Sequence, residues 1–194
     1  MAPLIGIAGA RAFAALVPRG VSLLGIDPGS LKCGFSVRPG GDLSPQRLGI
    51  ARAPRASSPS ERADIFARVT AELVAKHGVR GIIMGWPNVG MSPHVIPGGV
   101  GASSVNSGIG DAAAGAHARA LASALSIIAP MLPLLLWDEH GSSVLARADE
   151  RTARAKASFG SRANRALPRN LAVDDAAAMV ILQSYIDATE SWGK

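Results

Sequence analysis

The sequence predicts an α/β protein built on a mixed five-stranded sheet flanked by helices. Three observations lead there. Two apolar runs near the start are separated by Pro28-Gly29-Ser30, the pattern of a strand, a tight turn and a returning strand. Beyond residue 60, stretches of helical period alternate with short apolar runs. An Ala-rich helical stretch then closes the chain. The first strands are therefore expected to be antiparallel and the later ones parallel, joined by right-handed crossovers.

The elements follow in order. Residues 21–27 read as a buried strand that ends on a carboxylate, Asp27, and residues 33–37 as its hairpin partner. Arg38-Pro39-Gly40-Gly41-Asp42 is turn chemistry, and residues 47–53 read as a third strand. Ser58 or Ser60 can cap the next helix, whose stripe is Ile65, Val69 and Leu73 with Phe66 alongside, and Gly78 ends it. Residues 79–85 are a further buried strand. Residues 86–110 alternate Pro with Gly and read as a loop; no Gly-Lys-Ser/Thr follows, so there is no Walker pattern. Asp111 is a candidate N-cap for a helix bearing Ala118, Leu121, Ala122, Leu125 and Ile128. The uncharged run 120–137 has the length of a membrane span, but Pro130 and Pro133 divide it into a helix end and a strand over 132–137. Ser142 or Ser143 can start another helix, and residues 173–189 form the last one.

The 194 residues are 48% hydrophobic, enough for one domain with a full core. The single cysteine, Cys33, excludes an internal disulfide framework and a Cys-rich zinc site. A formal net charge of +6 suits a polyanionic partner, nucleic acid above all, although an Arg- and Ala-rich composition also follows from a GC-rich genome. Residues 1–20 carry two arginines and no acid and read as a tail or a transit-like segment, with a single domain over 21–190. The compartment then follows the source: cytoplasm in a bacterium, mitochondrion or plastid in a eukaryote.

Acids fall at three element ends: Asp27, the pair Asp138 and Glu139, and the pair Asp174 and Asp175. At the carboxyl edge of an open α/β sheet such positions converge on one crevice. Clustered carboxylates repel, and a hard divalent cation, Mg²⁺ or Mn²⁺, resolves the repulsion. Two such ions about 4 Å apart can hold a phosphodiester and activate water. Arg147, Arg151, Arg154, Lys156, Arg162, Arg165 and Arg169 form a basic stretch suited to flanking phosphates. Each acid also has a plainer reading, Asp174 as an N-cap and Asp138 as a turn residue.

These residues carry a resemblance. The run from Leu24-Gly25-Ile26-Asp27-Pro28-Gly29 to Gly34 resembles the opening motif of the YqgF family, also called RuvX. Ile82-Ile83-Met84-Gly85-Trp86-Pro87 resembles its Gly-x-Pro strand, Asp138-Glu139-His140-Gly141-Ser142 its Asp-Glu-Arg-x-Ser/Thr motif, and Val173-Asp174-Asp175-Ala176-Ala177 its last helix. The resemblance implies a ribonuclease H-like fold and a Mg²⁺- or Mn²⁺-dependent nuclease. The family is described as Holliday junction resolvases and as nucleases maturing the 5′ end of small-subunit ribosomal RNA. It further implies an acidic triad at Asp27, Glu139 and Asp174, a ribosomal RNA precursor or DNA junction as partner, the small ribosomal subunit as a further one, and a monomer or homodimer. His140 departs from the pattern, since Arg clamps a phosphate at any pH and His is mostly neutral near pH 7. That departure keeps open a catalytically degenerate, RNA-binding or ribosome-associated protein. A phosphotransferase of the actin and hexokinase type shares the strand-Asp-x-Gly opening, but the chain carries no second copy of the motif.

Overall fold

The computed structural model describes residues 4–41, 44–86, 109–138 and 174–190. Its elements are β1 (Leu4–Ile5), α1 (Gly6–Leu16), β2 (Leu23–Pro28), β3 (Lys32–Arg38), β4 (Gln46–Arg52), α2 (Pro59–His77), β5 (Gly81–Trp86), α3 (Ile109–Ile128), β6 (Leu134–Asp138) and α4 (Asp174–Glu190). The strands form one sheet in the order β1-β6-β5-β2-β3-β4. β2, β3 and β4 are antiparallel, whereas β2, β5 and β6 are parallel. The five expected strands thus make the ribonuclease H-like core, with β2 central. β1 adds a sixth strand, parallel to β6, at the edge.

Two differences from the sequence reading concern helices. Residues read as a tail or transit-like segment contain β1 and α1, and Phe13 and Ala10 of α1 are fully buried. The third helix begins at Ile109, so Asp111 lies inside it rather than capping it. The expected helix after Ser142 falls outside the described residues, as does all but the edges of the loop read over 86–110. No helix among the described residues is long and apolar enough to cross a membrane.

Strand alternation divides the core in two. On one face Leu24, Ile26, Ile82, Met84, Leu134 and Leu136 pack under α2 and α3. On the other, Leu23, Ile83 and Leu135 meet Phe13 of α1, Val17 just after it, and Ile181, Leu182 and Tyr185 of α4. α2 owes its sharp limits to local chemistry. Ser58 and Glu61 form a reciprocal capping box at its start, and Gly78 (φ 59°) closes it in the left-handed conformation.

Candidate active site at the carboxyl edge of the sheet

Asp27 lies near the end of β2, in register with Gly34 of β3, and the next pair, Pro28 and Cys33, is buried. Asp27 itself is half-buried. Its face is set by parity. A Cβ on Gly25 would meet the carbonyl of Ala178 at 2.7 Å and Cβ of Leu182 at 2.9 Å, so Gly25 faces α4. Asp27, two residues on, is on the same side of the sheet. Ile26 and Pro28 alternate to the α2–α3 side.

α4 packs across the face of the sheet that carries Asp27. Tyr185 stacks edge-to-face on Phe13 at 5.6 Å, and Phe13 packs over Gly81, the first residue of β5. The C-terminal half of α4 lies over β5 and β6, where Tyr185 also meets Trp137, and its first turn lies toward β4. Ser36, the register partner of Gly25, donates from Oγ to the Ala178 carbonyl at 2.9 Å and fixes the helix height. Asp174 precedes Ala178 by one helical turn, about 5–6 Å. Asp27 follows Gly25 by two strand residues, about 6–7 Å. Each acid is thus a short step along its own element from the Gly25–Ala178 contact. Asp175 is held by Arg47 of β4, Nη1 to Oδ1 3.8 Å.

On the other side of Asp27, Trp137 of β6 is level with Gly85 of β5, and Asp138 with Trp86. Trp137 is on the α4 side, where its Nε1 donates to Ser184 Oγ at 2.8 Å. Glu139 lies outside the described residues, as does the whole basic stretch with Arg147, Arg151, Arg154, Lys156, Arg162, Arg165 and Arg169. Among the described residues no cluster of three or more His, Cys, Asp or Glu stands ready to hold a metal. Two of the three expected ligands, Glu139 and the side chain of Asp174, are outside that set. What is described fits a hard cation in chemistry: a half-buried carboxylate at the end of a paired strand.

The family model described as "RuvX: Holliday junction resolvase" matches residues 21–188. The chain belongs to the RuvX family. No curated protein matches this RuvX-family chain. Among solved structures it is similar to Thermus thermophilus RuvC, at 15% identity over 88% of this chain and 97% of that one, TM-score 0.48. It is also similar to T. thermophilus RuvC in complex with a Holliday junction substrate, at 16% identity over 87% and 96%, TM-score 0.49. A ROK hexokinase from Thermus thermophilus is similar at 21% identity over 65% of this chain and 38% of that one, TM-score 0.35.

Two residues of this RuvX-family edge were not singled out from sequence. Arg62 of α2 and His117 of α3 line a hollow against Pro28-Gly29-Ser30, the turn that follows Asp27. The signal for Arg62 was local: a cation in the first turn of a helix runs against the helix dipole. For His117, on a half-exposed stretch of an Ala-rich helix, no comparable signal exists.

Proposed function

We propose that this chain is a metal-dependent nuclease that hydrolyses phosphodiester bonds in structured RNA, such as the 5′ end of a small-subunit ribosomal RNA precursor, or in branched DNA. Asp27, Glu139 and Asp174 are its metal ligands, for Mg²⁺ or Mn²⁺. The observation that carries the reading is the close packing of α4 on the face that carries Asp27: Ala178, one turn after Asp174, meets Gly25, two residues before Asp27. Glu139 follows Trp137 by two residues, and Trp137 is on that same side. One more residue of strand would bring the third carboxylate to the same side, which favours Glu139 over Asp138. Membership of the RuvX family supports the nuclease class.

The roles divide simply. Asp27, Glu139 and Asp174 would hold the cation beside the scissile phosphate. When bound, the metal lowers the pKa of water and offsets charge on the phosphorane-like transition state. Asp27 is rigidly presented, because β2 is paired on both sides and its hairpin turn is short. The cationic segment 147–169 neutralises flanking phosphates. Residues 21–190 act as one unit in this reading.

The test is Mn²⁺-dependent cleavage of a ribosomal RNA precursor and a four-way DNA junction by the purified chain and by Asp27→Asn. The variant is expected to lose cleavage by at least about a hundredfold while keeping its nucleic-acid affinity. Undiminished cleavage would remove Asp27 from the mechanism. The second reading, a binding protein without turnover, is favoured by His140 where the family has Arg. It predicts salt-sensitive RNA binding with no cleavage by the unmodified chain.

A further inference from the structure

Arg62 stands where helix electrostatics disfavour a cation, yet it is firmly held. Its Nε donates to the Ser58 carbonyl at 3.3 Å and its Nη1 to the Ser30 carbonyl at 3.2 Å, bridging α2 to the turn after Asp27. Both acceptors are neutral carbonyls, so among the described residues the guanidinium is braced without its charge being cancelled. The neighbouring Glu61 is committed to the cap, its carboxylate accepting the Ser58 N–H at 2.6 Å. A guanidinium carries five N–H donors, so several remain. Beside it is a shallow hollow, with Phe66 and Leu121 among its apolar walls and Arg62 and His117 as its polar rim.

We propose that Arg62 and His117 are positioning residues that hold one phosphate of the substrate strand, a neighbour of the phosphate at Asp27. The proposal deepens the nuclease reading and rests on it. Asp27 is on the α4 side of the sheet edge, while Pro28 and the hollow are on the α2–α3 side. A strand held at both points crosses the end of β2 from one face to the other. The planar guanidinium matches phosphate geometry, and the imidazole supplies one further N–H donor. Exposed cations continue along the same edge. Arg52 pairs in register with Lys32 at the hairpin end, Arg55 follows it, and Arg119 lies 5.5 Å over the Trp86 ring at the end of β5. The ligand chemistry is a phosphodiester backbone, of DNA or of RNA.

The test uses the full chain and two fluorescein-labelled probes, a four-way DNA junction and a hairpin fragment of small-subunit ribosomal RNA. Affinity is measured without divalent metal across a salt series, and cleavage with Mn²⁺. Arg62→Gln and His117→Ala are each expected to weaken binding about tenfold. Arg62→Gln should also reduce the slope of log affinity against log salt by about one. Both should raise KM more than they lower kcat. Arg80→Gln, an exposed cation at the opposite edge, should match the unmodified chain. Arg62→Gln also removes the brace on Ser30, so His117→Ala, on a different helix, tests the hollow with that brace intact. Unchanged affinity and slope in both variants would overturn the proposal, and so would an equal loss in Arg80→Gln. If the unmodified chain neither binds nor cuts either probe, the nuclease reading itself falls. If it binds and cuts and the two variants do the same, only this inference does. Whichever probe shows the losses identifies the nucleic acid whose phosphates the pair holds.

Discussion

At Gly25 the sheet and α4 come close enough that a methyl group would meet a backbone carbonyl, Ala178 O at 2.7 Å, as well as Leu182 Cβ at 2.9 Å. A carbonyl inside a helix cannot swing aside as a side-chain end can. Gly25→Ala is therefore expected to destabilise the chain by about 2–3 kcal/mol. It should also tilt the first turn of α4 away from Asp27, so cleavage should fall further than stability alone explains. Urea denaturation and Mn²⁺-dependent cleavage, measured on the same preparation, check both parts. Ser36→Ala is the milder companion, removing a buried hydrogen bond to the same carbonyl at a cost of about 1 kcal/mol. Tyr185 gives a pH dependence. Burial pushes its phenol up to about 12, against a smaller downward pull from Arg38. The folded chain thus keeps the proton more tightly than the unfolded one. Stability is full below the ordinary phenol pKa near 10 and is lost as pH rises toward about 12. Thermal melts between those limits should fall steadily, and Tyr185→Phe should flatten the fall.

At the scale of elements, α2 owes its start to chemistry within four residues. Ser58→Ala should cost about 1 kcal/mol through loss of the capping box, read as a shift in the denaturation midpoint. The Glu61 carboxylate, held below its usual range by the Ser58 N–H and hydroxyl, belongs to the same motif. Such local grammar is why α2, and the hairpin around Pro28-Gly29, were legible in the sequence. α1 was not. Its stripe is Ala10 and Phe13, with Val17 just after it, amid small residues, and only Phe13 is large. What buries Phe13 is Tyr185 and the sheet, far away in the chain, so no local pattern announces the helix. Phe13→Ala is expected to cost about 3–5 kcal/mol, and removal of residues 1–20 to lower the melting temperature markedly. A truncated chain as stable as the intact one would mean that α1 packs without contributing.

At the scale of the molecule, helix placement and net charge act together. α2 starts beside Pro28-Gly29-Ser30, and α4 starts one helical turn before Ala178, which packs on Gly25 of the strand that carries Asp27. The N-terminus of α2 therefore stands at the carboxyl edge of the sheet, on a chain of formal net charge +6. That combination favours a polyanion at the edge and should give steeply salt-dependent association. It also explains how the candidate site was read. Asp27 was conspicuous because a buried strand ended on an acid. Its proposed partnership with Asp174 came from the order of elements, since the two acids lie at opposite ends of the chain. Arg62 escaped notice because its neighbour, Ser30, is thirty-two residues away and the contact is to a carbonyl rather than a charge.

Cys33 is the only thiol in the chain, is buried, and sits opposite Pro28, one pair beyond Asp27. The hairpin that carries the first candidate ligand thus contains its own reporter. A thiol reagent can reach Cys33 only when the core between the sheet and α2–α3 opens, so the labelling rate measures how often that packing opens beside the hairpin. A ligand that closes on Asp27 should slow the labelling, and the measurement needs neither a substrate nor a second cysteine.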